Sequence, residues 1–212
     1  MKLQKVTPPS LPQASTTWTQ RFQETFSNAL RLFFTRIVGT LNSLLEEDGG
    51  RFLSFPHALF YDTTTQTAAA PNTAYAVKFN SVYVDNSVYK DTTDTSKIYV
   101  THAGIYNFQF SLQLDQSSAS THKFWVWPRR NGFDAPDSGS EYALNGSTAE
   151  IIAALNYYIE MQPGDYFQLM WAVSSTNVFI AKIAAAPPVP AIPSAILSVN
   201  FVSESSNVSE VF

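Results

Sequence analysis

Few side chains in this sequence are of a type and spacing that could do chemistry. The three histidines, His57, His102 and His122, stand apart, with no neighbouring ligand at metal spacing, so neither a metal centre nor an imidazole base is indicated. There is no cysteine, which removes thiol nucleophiles, cysteine zinc sites, iron-sulfur clusters and disulfides together and leaves the redox compartment undetermined. No phosphate loop, dinucleotide fingerprint, Gly-x-Ser-x-Gly elbow or His-Glu-x-x-His pair occurs. Acids do cluster: Asp134, Asp137 and Glu141 fall in one expected loop and Asp85, Asp91 and Asp94 in another. Such oxygen ligands suit a calcium ion at a sheet edge, and equally an ordinary solvated loop. A glycosidase would need two carboxyls about 5–10 Å apart across a groove, a placement that the sequence does not supply. Arg129 and Arg130 follow Trp125 and Trp127 at what reads as a hairpin tip. A basic pair beside exposed aromatics can grip a phosphate or stack a sugar ring; the other reading is a polar hairpin with the tryptophans in a core. The sequons at Asn145 and Asn207 carry little weight without a secretory route. The expectation is a protein without catalysis, cofactor, metal or bound nucleic acid.

Composition asks where the apolar surface goes. In 212 residues, 45% are hydrophobic and 14% aromatic, with 16 Phe, 10 Tyr and 4 Trp, while only 14% are charged. That excludes a disordered chain and leaves little charge to keep a lone monomer soluble, so subunit interfaces are the economical destination. No apolar run reaches the roughly 18–20 residues of a membrane span, and no signal peptide or membrane insertion is expected. The net charge of −4 is uneven: residues 1–40 sum to +4 and residues 61–212 to −6. A basic start ahead of an acidic body suits docking on an acidic protein surface, and is thin for phosphate tracking.

Four segments follow. Residues 1–16 carry Pro8, Pro9 and Pro12 and read as an extended arm, with Lys2 and Lys5 as further attachment residues. Residues 17–48 read as a helix of about 31 residues and about 45 Å, opened by a Thr17/Gln20 capping box and stopped at Gly49-Gly50. Its seam is Trp18, Phe22, Phe26, Leu30, Phe33, Ile37, Leu41 and Leu44, widened by Phe34, Val38 and Leu45. The steps of 4, 4, 3 make an eleven-residue repeat, which gives a nearly straight or slightly right-handed bundle. Packing on the chain's own sheet is one reading; a parallel oligomeric bundle is favoured by the length of the helix and by the Gly-Gly break behind it. Glu46, Glu47 and Asp48 sit where the helix dipole prefers cations, and pair best with Arg51 or a neighbouring subunit. Residues 49–72 read as a connector anchored by apolar groups.

From residue 73 the hydrophobic period changes to two. Tyr106, Phe108, Phe110, Leu112 and Leu114 alternate with polar residues, marking a long half-buried strand. Further strands are expected at about 74–79, 97–100, 123–127, 151–159, 166–173, 178–183 and 195–202, between turn signals such as Asn131-Gly132 and Pro163-Gly164-Asp165. So many antiparallel strands in residues 73–212 indicate a sandwich. The segments 124–127 and 151–159 are apolar on both faces, where one face of a monomeric sandwich should be wet. A second copy of the chain would cover it; long loops folded over the outer face are the alternative.

The ordered set Gly104-Ile105-Tyr106-Asn107-Phe108, Arg129-Arg130-Asn131-Gly132, Pro163-Gly164-Asp165-Tyr166-Phe167-Gln168-Leu169 and Val199-Asn200-Phe201-Val202 resembles the complement globular-head and tumour necrosis factor jelly-roll superfamily over about residues 74–203. The chain lacks a collagen repeat before this head and has a Pro-rich stretch at 187–193. The resemblance implies a compact homotrimer, with Tyr106, Phe108, Phe110, Trp125, Trp127, Tyr157, Tyr158, Phe167, Trp171 and Phe201 in its core or interface. Leu30-Arg31-Leu32-Phe33-Phe34, Gly49-Gly50-Arg51-Phe52-Leu53-Ser54-Phe55-Pro56 and the threonine tract at 63–67 resemble the start of tailed-bacteriophage virion proteins that carry such a head. This second resemblance implies a trimeric head or tail fibre or decoration protein, attached by its N-terminus to a capsid or tail protein. The outer loop at Arg129, Arg130 and Asn131 would then be free to touch host glycan or protein, as in a lectin-like receptor-binding tip.

Overall fold

A computed structural model of the chain describes residues 9–11, 19–45, 54–147 and 149–204. They fall in two compact units, Met1–Ser54 and Phe55–Phe212, each taken by itself below.

In the first unit α1 spans Gln20–Leu45, 26 residues or about 39 Å. Thr19 starts it: the Thr19 hydroxyl accepts from the Phe22 amide at 3.2 Å and the Thr19 carbonyl from the Gln23 amide. The cap thus lies two residues beyond the expected Thr17, which with Trp18, the arm residues Lys2, Lys5, Pro8 and Pro12 and the expected helix stop lies outside the described residues. Thr25, Thr35 and Thr40 turn their hydroxyls back onto carbonyls four residues earlier, so these poor helix formers are tolerated mid-helix. Along the seam Phe22, Phe26, Leu30, Phe33 and Ile37 are half-buried and Leu41 is exposed. The Leu44 side chain is outside the described set. Phe34, in the second row, is 58% exposed, and Leu32 and Val38 are exposed with it.

The second unit is built from two sheets whose pairings are all antiparallel. The first contains β1 (His57–Asp62), β2 (Gln66–Thr67), β4 (Ser81–Asn86), β7 (Gly104–Gln116), β11 (Ile151–Met161), β13 (Val178–Ile180) and β14 (Ala195–Ser203). The second contains β3 (Tyr75–Ala76), β5 (Val88–Lys90), β6 (Ile98–Val100), β8 (His122–Arg130), β9 (Phe133–Asp134), β10 (Ser140–Leu144) and β12 (Tyr166–Val173). Long strands cross between the sheets as the chain advances: β6 in the second, β7 in the first, β8 and β10 in the second, β11 in the first, β12 in the second, β14 in the first. β1 and β14 pair side by side inside the first sheet. This is a jelly-roll sandwich preceded by one helix.

β7 is the axis of the first sheet. β11 lies along one side of it, and β14 and then β13 along the other. The alternation read in the sequence holds here: Tyr106, Phe108, Phe110, Leu112 and Leu114 are buried, and the intervening residues face outward. The Phe108 ring stacks on Phe167 of the opposite sheet with centroids 4.1 Å apart, and Phe124 stacks on Trp171 at 5.6 Å. Gly104, at φ 155°, opens β7 where an added Cβ would run into the Phe201 ring and lie 2.7 Å from the Ser203 carbonyl oxygen. Only glycine fits that approach of the last strand.

Several expectations change. The segment read as a connector holds β1 and β2, and β1 is flanked on both sides, by β14 and β4. Its pattern is hidden because the outward Leu59 and Tyr61 are themselves apolar, while inward Asp62 is kept in place by bonds from Thr64 and Gln66. The strand expected over 74–79 is paired only at Tyr75–Ala76; Val77 and Phe79 remain buried but bond singly to Leu169 and Thr95 carbonyls. β13 ends at Ile180 rather than 183, since the chain then leaves for the Pro-rich loop. The strands β4, β5, β9 and β10 are additional to the expected set, being short and built largely of exposed or part-exposed residues.

Candidate functional site

Two kinds of exposed aromatic surface stand out on the sandwich. The first lies at the lateral edges of the first sheet. On β11, Ile152 and Tyr158 face outward at 61% and 63% exposure, and Leu155 is also exposed. On β4, at the other edge, Val82 and Val84 are exposed and Tyr83 reaches 79%. Between them Asn107 of β7 stands beside Tyr158 and Asn200 by register, and its buried amide oxygen has no hydrogen-bond partner among the described residues. Soluble sandwiches blunt edge strands with charge or proline. These edges carry Asp85 and Glu160 and several uncharged polar side chains, but their most exposed large side chains, Tyr83, Ile152 and Tyr158, are apolar or aromatic.

The second surface is the outer face of β8. Phe124 and Val126 point into the core, so Trp125 and Trp127 emerge together on the other side, both half-exposed. The Trp125 indole N–H donates to Glu141 Oε2 at 2.8 Å, and Lys123 Nζ sits 2.9 Å from Glu141 Oε1. The Trp127 indole N–H donates to Asp134 Oδ1 at 2.7 Å; Arg129 donates from Nε to the same oxygen at 2.7 Å and from Nη2 to Oδ2 at 3.1 Å. Pairing explains the convergence, because β10 puts Glu141 opposite Trp125 and β9 puts Asp134 opposite Arg129. A reading of loop acids missed this. The signal was present in Arg130-Asn131-Gly132-Phe133: Asn131 and Gly132 both take positive φ, as in a two-residue hairpin, and that turn sets Asp134 across from Arg129.

The Arg129, Arg130 and Asn131 tip spends its polar groups within the chain. Arg129 holds Asp134, Arg130 Nη1 donates to the Glu160 carbonyl at 2.6 Å, and the Asn131 amide donates to Asp165 and accepts from the Tyr166 amide. Of the other named residues, Phe167 and Trp171 are in the core, Tyr157 stacks on Phe110, and Phe201 lies against Tyr106 and Phe55. Asp91 and Asp94 accept from nearby backbone amides and Ser96 in local turns. Among the described residues no three of His, Cys, Asp or Glu gather where they could hold a metal ion. His57 meets the Phe55 carbonyl and His102 the Thr101 hydroxyl.

The hydrogen bond from Arg129, followed by that from Trp127, holds the Asp134 carboxyl below its usual range, and Lys123 and then Trp125 do the same for Glu141. Both acids are depressed by partners gained on folding, so their contribution is complete above the ordinary carboxylate range and lost as pH falls through the lower folded values. Tryptophan emission is therefore expected to stay constant from pH 7 down to about 4 and to change reversibly below that. The Asp134→Asn/Glu141→Gln double variant is expected to lack that step; an unaltered acid transition in the double variant would show that these carboxylates do not anchor the rings.

No family model matches the sequence, and no curated protein matches it. Among solved structures, the chain is similar to the globular domain of zebrafish complement 1qA protein, with a TM-score of 0.43 at 11% identity over 71% of this chain and 99% of that one. It is also similar to Eiger TNF from S. frugiperda (TM-score 0.47, 10% identity, 74% and 99% covered) and to murine APRIL (0.47, 10%, 70% and 100%).

Proposed function

We propose that this chain is a structural, non-catalytic protein that assembles as a homotrimer and is displayed on a phage head or tail through its N-terminal arm. The observation that carries the assembly is the pair of unlike apolar edges on the first sheet, Val82 to Val84 on β4 and Ile152 to Tyr158 on β11. Unlike surfaces at opposite edges of one sheet favour a head-to-tail contact, and such contacts bury every edge only when the ring closes. An isologous dimer would cover one edge and leave the other wet. The exposed row of α1, with Phe34, Val38 and Leu41, calls for cover of the same kind. The number three is what the head motifs imply, and the virion setting is what the N-terminal motifs imply.

Attachment follows from charge and from valency. An arm bearing Lys2 and Lys5 meets an acidic particle surface, and three arms held together offset the ordering cost that a single arm could not. Deleting residues 1–16 is expected to leave a soluble oligomer of unchanged mass that no longer copurifies with particles. Undiminished incorporation of the truncated chain would overturn the role given to the arm.

A further inference from the structure

We propose that the outer face of the second sheet, centred on Trp125 and Trp127, binds a neutral oligosaccharide. The two indoles occupy successive outward positions of β8, about 7 Å apart along the strand, and both are part-exposed. An outward strand position is ordinarily polar in a sandwich, yet the core is already filled from the other side by Phe124 and Val126, each fully buried. The rings are therefore not needed to complete the core on which they stand.

Their orientation is fixed in advance. Each indole N–H is spent on a carboxylate, and each carboxylate is in turn held by a cation, Lys123 for Glu141 and Arg129 for Asp134. A ligand arriving at such rings need not order them, which lowers the cost of binding. What the indoles keep is their flat apolar faces, the part of tryptophan that packs on the C–H face of a sugar ring.

Charge chooses among occupants. The strip holds two carboxylates and two cations, paired one to one, so it has no net charge with which to attract a phosphate or an anionic polymer. Among the described residues Arg129 commits two of its five donors and the Lys123 ammonium bonds only Glu141, so donors remain beside each ring, with acceptor lone pairs on both carboxylates. Hydroxyl groups, which donate and accept alike, match that mixture. A neutral saccharide combines such hydroxyls with an apolar ring face; a nucleic acid or an acidic peptide does not. The strip belongs to a single chain, so the inference stands apart from the assembly proposed above, and it moves host contact from the tip at Arg130 and Asn131 to the sheet face behind it.

The test titrates the full chain with maltohexaose, cellohexaose and chitohexaose, and separately with a heparin-derived hexasaccharide, followed by tryptophan fluorescence and calorimetry. At least one neutral hexasaccharide is expected to bind with Kd of about 0.1–1 mM and to protect the wild-type chain from acrylamide quenching. Trp125→Ala and Trp127→Ala are each expected to weaken binding at least about tenfold, a loss of about 1.4 kcal/mol or more, with the far-ultraviolet dichroism unchanged. The quenching measurement needs no variant, so it stands if a substitution disturbs folding. Silence from every neutral sugar, binding of the anionic sugar alone, or full binding by both variants would overturn the proposal. So would protection that depends on protein concentration rather than on sugar, because a second copy would then be the occupant.

Discussion

Replacing both Ile152 and Tyr158 with aspartate is expected to raise the dissociation constant of the assembled chain by about 10²–10⁴. Both side chains are more than 60% exposed in the single chain and lie on the same outward face of β11, so the substitution costs the isolated sandwich little. In the ring each would be buried against the β4 edge of the next copy. Burying a large apolar side chain contributes about 1.5–3 kcal/mol, so losing two per contact removes about 3–6 kcal/mol, which sets the expected factor. An aspartate left buried without a partner adds to the loss. Sedimentation equilibrium across micromolar concentrations reads the change, with unchanged far-ultraviolet dichroism showing that the sandwich persists. If the double variant stays as associated as the wild type, β11 is not an interface.

The other large effect lies inside the sandwich. Phe108→Ala is expected to destabilise the head by about 3–5 kcal/mol, because the ring is fully buried and stacked at 4.1 Å on Phe167 across the two sheets. A gap there is not readily filled from either side, since on the same strand Tyr106 packs edge-on against Phe201 and Phe110 stacks on Tyr157. For a domain of this size each kcal/mol moves Tm by about 2–4 °C, so a fall of roughly 6–20 °C is expected by calorimetry. Phe133→Ala is the control: at 80% exposure it should change stability by less than about 0.5 kcal/mol. Equal Tm values for the two variants would mean that the sheets are not held together at Phe108.

β7 could be read from the chain because the nine residues from Tyr106 to Leu114 alternate without exception between apolar and polar side chains, and a period of two that is sustained so long has one structural reading. β12 is legible for a different reason, its apolar run, broken only by Gln168, bounded by Pro163-Gly164-Asp165. β1 escaped because its outward side chains are as apolar as its inward ones and its one buried acid breaks the pattern. β4, β5 and β10 escaped because short strands with exposed or polar residues carry too few alternations to register. The tryptophan strip was half legible. Residues spaced by two on one strand must share a face, but whether that face looks into the core or out of it depends on Phe124 and Val126 winning the inner side. The anchoring acids come from β9 and β10, and their arrival opposite Trp127 and Trp125 is a matter of pairing between strands, which local sequence expresses only through the Asn131-Gly132 turn. Helix capping shows the same limit at small scale: Thr17 and Thr19 are both eligible, and only the bond from the Phe22 amide selects the second.

The surplus aromatic surface goes to the core and to one strip on the second sheet, and the proposed chain-to-chain contacts would cover the exposed side chains of β4 and β11. The proposed homotrimer rests on those chain-to-chain contacts. Light scattering on the purified full chain measures it without any variant: the expected mass is three times the 23.5 kDa of one chain, and a mass equal to a single chain at micromolar concentration would contradict it.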